Sequence, residues 1–83
     1  MSMARTILGA DAFYDAGDVG CGGPALGDIV GILERLPAGQ ALEIRSRERA
    51  GRESLRALCR LRGYPIEAED AGPDGDRILV RKA

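Results

Sequence analysis

The chain lacks histidine and tryptophan, and only three of its 83 residues are aromatic. Without histidine, Ser-His-Asp sites, Cys-His sites and histidine-based metal sites are all excluded. With so few aromatic rings, the core must be built from Leu, Ile, Val and Ala. The hydrophobic content of 45% is nevertheless ordinary for a globular protein. The sequence therefore predicts one small domain over residues 1–83, with its core over 12–82 and a flexible extension over 1–10.

Cysteines and long apolar runs are also scarce. The two cysteines, Cys21 and Cys59, are too few for a disulfide framework. No apolar run approaches the length of a membrane span, and residues 1–17 do not follow the pattern of a secretory signal peptide. These features predict a cytoplasmic protein without membrane attachment, in which both thiols stay reduced.

The charges are nearly balanced but unevenly placed. A net charge of −1 argues against direct nucleic-acid binding. Seven of the twelve basic residues nevertheless fall between positions 45 and 62. Among them, Arg52, Arg56 and Arg60 recur at helical spacing as a basic stripe. Such a stripe is either a solvated helix face or a docking patch for an acidic partner, and the sequence leaves both interpretations open.

The hydrophobic pattern alternates between the periods of strands and helices. Apolar residues recur at helical spacing from Leu26, and Pro24 suits a first helical turn because its missing N–H is not needed there. Gly63 is predicted to cap a second helix. The predicted order is strand, helix, strand, helix, strand, strand, over residues 12–16, 24–36, 40–47, 51–62, 64–70 and 77–83.

This order predicts an α/β two-layer sandwich, in which two helices cover one face of a four-stranded mixed sheet. The strand over 40–47 alternates apolar and charged residues, so we expect it to be half-buried. Residues 71–76, AGPDGD, have the composition of a turn between the last two strands.

Cys21 lies among glycines in GDVGCGGPALGD, directly before the first predicted helix. A helix start offers free N–H groups and the positive end of the dipole, and both favour the nucleophilic thiolate. Gly22 and Gly23 leave the sulfur accessible. Asp18 and Asp28 oppose the thiolate, because a carboxylate disfavours a second anion nearby. Such a thiol can accept a sulfur atom as a persulfide and pass it on, whereas the alternative is a buried filler residue.

Two further features have simpler interpretations. Cys59 lies on the apolar face of the second predicted helix with Leu55 and Leu58, so buried packing is expected for it. A glycine run before a helix is also a feature of phosphate-binding loops, but the run around Cys21 lacks the Lys-Ser/Thr ending of a P-loop.

The chain resembles the TusA/SirA-like sulfur carrier proteins, whose hallmark is D-x-x-G-x-x-C-P-x-P at the start of the first helix. Asp15, Cys21 and Pro24 match this hallmark. Gly22 stands at the position of its first proline, and Asp18 stands at the position of its glycine. The similarity extends over roughly residues 12–82.

The resemblance implies a βαβαββ two-layer sandwich and a sulfur-relay function. By this resemblance Cys21 is the persulfide carrier, and Asp15, Gly22, Gly23 and Pro24 form its supporting turn and helix start. The implied partners are a cysteine desulfurase or rhodanese-like donor and a downstream acceptor protein, in tRNA thiolation, molybdenum-cofactor or sulfur-oxidation pathways. No cofactor or metal is implied, and a monomer is expected.

Because the chain has no histidine and no evident general base, it is expected to act as a co-substrate of sulfur transfer rather than as an enzyme with its own turnover. The alternative is a non-catalytic interaction or regulatory domain of the same fold, in which Cys21 is structural or redox-sensing.

Overall fold

The computed structural model describes residues 8–17, 24–47, 52–72 and 75–83. These residues form six elements in the predicted order: β1 (Ala12–Gly17), α1 (Pro24–Arg35), β2 (Ala41–Ser46), α2 (Arg52–Arg62), β3 (Ile66–Gly72) and β4 (Gly75–Arg81). Most of the extension predicted over residues 1–10 lies outside the described residues. The predicted turn with Cys21, Gly22 and Gly23 lies entirely outside them.

The strands form one mixed sheet in the order β1-β2-β4-β3. β1 runs parallel to β2, while β4 is antiparallel to both β2 and β3. A parallel pair requires a crossover connection, and α1 supplies it. The sheet therefore has β1 at one edge and β3 at the other, and the predicted α/β two-layer sandwich is confirmed.

The core lies between the two helices and one face of the sheet. In α1, Ile29 and Leu33 are buried at i, i+4 spacing, as the stripe predicted. Cys59 of α2 is 1% exposed, which confirms its predicted burial. The central cluster is almost wholly aliphatic: Ile29, Leu33, Leu42, Ile44, Leu55, Cys59, Ile78 and Val80. Burying each of the larger side chains contributes about 1.5–3 kcal/mol, so this layer is the main source of stability.

Both helices have defined C-terminal ends. Gly63 follows α2 at a φ of 75°, and the Tyr64 amide donates to the Cys59 carbonyl at 2.9 Å. Together with the bond from the Gly63 amide to the Arg60 carbonyl, this is a Schellman motif, so the predicted glycine cap is confirmed.

The end of α1 is held by a side chain from the far end of the chain. Lys82 Nζ donates to the carbonyl oxygens of Leu33, Glu34 and Leu36 at 2.6, 3.2 and 3.0 Å. An ammonium group suits this position because the last carbonyls of a helix carry partial negative charge.

The prediction that residues 40–47 form a half-buried strand is correct for the strand but wrong for its burial. All six residues of β2 are buried, including Glu43 at 0% and Arg45 at 9% exposure. β2 is a central strand, and its charged residues are covered by partners. The Glu43 carboxylate accepts from Arg77 Nη1 at 2.6 Å and from the Leu8 amide at 2.8 Å.

The turn predicted over 71–76 is shorter than expected. β3 continues through Gly72 and β4 begins at Gly75, with Ala71 paired to Asp76 across the hairpin. Cross-strand pairing thus extends through residues whose composition favours turns, because the neighbouring strand offers partners for their backbone groups. None of the helices in the described residues is long and apolar enough to cross a membrane.

Candidate functional site

The described residues that lie nearest to Cys21 in the chain are Gly17 on one side and Pro24 on the other. Gly17 ends β1 and Pro24 begins α1, so Cys21 belongs to the connection over residues 18–23. Gly17 has a φ of 59°, a left-handed conformation that suits glycine where the chain turns away from the strand. A β-bulge between Asp15 and Gly17 marks the same point in the pairing with β2.

Asp15 fixes the end of β1. Its Oδ1 accepts from the Gly17 amide at 2.8 Å, and Arg45 Nη1 lies 3.0 and 2.9 Å from its two carboxylate oxygens. Charge-assisted bonds of this kind are stronger than neutral ones. Asp15 and Arg45 therefore form an ion pair, here called the Asp15–Arg45 clamp, which holds the end of β1 where the connection begins.

A second contact ties β1 to α1. The Tyr14 hydroxyl donates to Asp28 Oδ2 at 3.0 Å. Asp28 was expected to oppose a thiolate at Cys21, and in the structure its carboxylate accepts a hydrogen bond from Tyr14. The start of α1 and the end of β1 are thus linked on both sides of the connection.

The beginning of α1 is favourable for a negative charge. No acidic residue lies in the first turn, and the first carboxylate of the helix is that of Asp28, which accepts the hydrogen bond from Tyr14. Pro24 occupies the first helical position, where a residue without an N–H is tolerated.

Sequence reasoning missed both Arg45 and Tyr14 as neighbours of this region. Arg45 was visible only as a charged residue of an alternating strand, and Tyr14 only as an aromatic residue of a short one. The register that pairs Asp15 with Arg45 is a property of the assembled sheet. The signal that could have identified Arg45 is the alternation of side chains along β2, together with the pairing of β2 with β1, which places Arg45 beside Asp15.

The basic stripe of α2 does not form one continuous charged surface. Arg52 forms an ion pair with Asp76 of β4, and Arg56 Nη2 lies 2.6 Å from Glu69 Oε1 of β3. Arg60 has no carboxylate partner among the residues that the structure describes. Two arginines of the predicted docking patch therefore connect α2 to the sheet, while the third remains available.

A groove of about 340 Å³ lies between α2 and β3. Its lining residues are Arg56, Cys59, Arg60, Tyr64, Ile66 and Glu69. Burial raises the pKa of the Cys59 thiol above its ordinary value, so this sulfur stays protonated at neutral pH. Cys59 thus differs from the thiolate expected at a nucleophilic site.

The described part of the chain contains no candidate metal site. Within residues 8–17, 24–47, 52–72 and 75–83, no group of three cysteine, aspartate or glutamate side chains is arranged to hold an ion.

No protein-family model and no curated protein matches this chain. Its relation to the TusA/SirA-like proteins therefore remains a resemblance, which rests on Asp15, Cys21 and Pro24 and on the order of the elements.

Proposed function

We propose that the protein carries sulfane sulfur as a persulfide on Cys21. The observation that supports this most is that α1 begins at Pro24, three residues after Cys21, with no acidic residue in its first turn. A helix start of this kind favours an anion near its free amides. The βαβαββ order agrees with the fold that the family resemblance implies.

The transfer needs no oxidant or cofactor. The Cys21 thiolate attacks the outer sulfur of a persulfide on the donor, forming a new bond between Sγ and that sulfur. The sulfur–sulfur bond of the donor breaks, and the donor thiol leaves with the electron pair and takes a proton from solvent. Repeating the exchange with an acceptor thiolate returns Cys21 to its starting state, so the sulfur moves without net oxidation or reduction.

The contacts around the connection have a defined part in this proposal. The Asp15–Arg45 clamp and the Tyr14–Asp28 hydrogen bond hold the two elements that flank Cys21. In this proposal, a fixed start and a fixed end of the connection favour a reproducible approach to a donor persulfide. Asp15, Gly22, Gly23 and Pro24 are therefore proposed as supporting residues, and Cys21 as the reacting one.

The partners in this proposal are a cysteine desulfurase or rhodanese-like donor and a downstream acceptor protein, in the cytoplasm. The chain would act as a monomeric co-substrate of the relay. Neither nucleic acid nor a bound cofactor takes part in the exchange.

Intact-mass spectrometry after incubation with a cysteine desulfurase, cysteine and pyridoxal phosphate tests the proposal. We expect the protein to gain about 32 Da per sulfur bound, because thiol exchange adds sulfur to a thiolate. Cys59→Ser should load as the unchanged protein does, and Cys21→Ser should not load. A reductant added afterwards should remove the added mass.

Two results would count against a sulfur carrier. If Cys21→Ser loads as well as the unchanged protein, the sulfur is held elsewhere. If neither a desulfurase nor a rhodanese loads the protein, a non-catalytic interaction domain, in which Cys21 is structural or redox-sensing, becomes the better account.

A further inference from the structure

Arg60 differs from the other arginines of α2 in its surroundings. The others each face a carboxylate of a neighbouring element: Arg52 faces Asp76, Arg56 faces Glu69 and Arg62 faces Glu34. In the part of the chain that the structure describes, no such carboxylate faces Arg60. Arg60 is exposed and lines the groove between α2 and β3.

The strand beside Arg60 is irregular at its beginning. The pairing of β3 with β4 shifts between Ile66 and Ala68, and Glu67 stands at that shift. Glu67 forms an ion pair with Arg81 of β4, with Nε and Oε2 2.7 Å apart. Ile66 pairs with Val80 and lines the groove that Arg60 also lines. Arg60 thus lines the groove together with an apolar residue of β3, whereas Arg56 pairs with an acidic residue of that strand.

Polar atoms make up the larger part of the groove's lining, and its apolar part is small. Cys59 is almost fully buried and, with its protonated thiol, acts as a small apolar residue. Ile66 and Tyr64 add apolar surface beside it. The acid of the groove, Glu69, is already bound to Arg56, which leaves Arg60 as the uncompensated charge. The volume of about 340 Å³ is near the lower end for ligand pockets, which span about 300–1,000 Å³.

We propose that this groove is a docking site for an acidic segment of a partner protein. A carboxylate of that segment pairs with Arg60, and a neighbouring apolar side chain packs on the partly exposed Ile66 and Tyr64. Charge complementarity at Arg60 selects the carboxylate. A partner protein suits the site better than a small acid, because an exposed ion pair alone contributes little to the binding free energy. The apolar side chain of the partner must contribute the remainder.

This inference is independent of the sulfur-carrier proposal. The groove lies at β3, one edge of the sheet, whereas the connection with Cys21 follows β1, the other edge. Substituting Arg60 is therefore expected to leave the loading of Cys21 from a small-molecule persulfide unchanged, and failure of either proposal does not affect the other.

A hexapeptide library immobilised on an array, probed with the purified full chain, is the first part of the test. We expect enrichment of sequences that place Asp or Glu next to Leu, Ile, Phe or Met. An enriched peptide is then titrated into ¹⁵N-labelled protein, with the largest shifts expected at Cys59, Arg60, Tyr64 and Ile66. Arg60→Glu should weaken binding about tenfold, because it replaces attraction by repulsion at this position.

Arg35→Glu is the matched control. It makes the same charge change at an exposed position in the last turn of α1, outside the groove, and should change the affinity by less than about twofold. Thermal unfolding of both variants verifies that they fold. The proposal is overturned if no acidic sequences are enriched, if the shifts map elsewhere, or if both variants weaken binding equally. It also fails if sodium acetate at the same concentration reproduces the shifts, since Arg60 would then bind small anions only.

Discussion

At the scale of single residues, the structure describes only one of the two cysteines, Cys59. Cys59 is buried in the aliphatic core, and that burial raises its pKa. Cys21 follows glycines and precedes a helix whose first turn has no acid. Burial disfavours a thiolate at Cys59, whereas a sequence position before a helix start favours one, so we assign the proposed chemistry to Cys21.

The raised pKa of Cys59 predicts a change in stability at alkaline pH. A raised pKa in the folded state means that the neutral thiol is preferred there, so its contribution is fully present below the unfolded pKa. The contribution is lost as the pH rises through the folded value, which lies above 9.0. The unfolding free energies of the protein and of Cys59→Ala, measured by urea titration from pH 7 to pH 11, should therefore converge as the pH rises. If the difference between the two unfolding free energies stays constant with pH, the pKa of the Cys59 thiol does not change on unfolding.

At the scale of elements, the end of α1 depends on a side chain that is distant in sequence. Lys82→Met removes the three bonds to the last carbonyls of α1 but keeps an unbranched apolar side chain. We expect a loss of about 1–2 kcal/mol in the free energy of unfolding, because charge-assisted bonds and a favourable dipole contact disappear. Amide exchange near Leu36 should quicken at the same time. Arg35→Met removes a charge from the same turn and should lower the free energy of unfolding by less. Equal losses in the two variants would show that Lys82 contributes only its charge.

The hairpin of β3 and β4 depends on one glycine. Gly75 has a φ of 125°, and a Cβ atom there would lie 2.8 Å from the carbonyl oxygen of Ser46. Gly75→Ala should destabilise the protein by about 2 kcal/mol or more, through backbone strain and this close contact. Gly27→Ala is the control, because nothing lies near its Cβ and alanine favours a helix, so stability should rise by about 0.5–1 kcal/mol. Thermal unfolding of both variants measures the difference, and a tolerated Gly75→Ala would contradict this view of the hairpin.

At the scale of the whole molecule, ion pairs connect the two layers and the two helices. Arg56 joins α2 to β3, and Arg62 joins α2 to Glu34 of α1. Surface pairs of this kind add little individually, so the aliphatic layer carries most of the stability. Among the residues that the structure describes, these pairs leave Arg60 as the arginine of α2 without a carboxylate partner.

Periodicity was sufficient to predict the order of elements and most of the core, because each helix or strand has its own local pattern. It could not predict the burial of Glu43, whose partner Arg77 lies 34 residues away. Nor could it predict the shift at Glu67, which directs that carboxylate to Arg81. Long-range register determines both features. The same distinction applies to the candidate site. Asp15 and Pro24 belong to a local sequence motif and could be predicted, whereas Arg45 and Tyr14 act through tertiary contacts.

The central claim is that sulfur is carried on Cys21 in a molecule that also contains Cys59. The most direct test is to load the unchanged protein with a cysteine desulfurase, trap persulfides by alkylation and digest with trypsin. The two thiols then separate, because cleavage after arginine releases residues 6–35 with Cys21 and residues 57–60 with Cys59. Our account predicts that the additional sulfur, about 32 Da, is found on the peptide with Cys21 and is absent from the other. Sulfur on the Cys59 peptide, or on neither peptide, would contradict it.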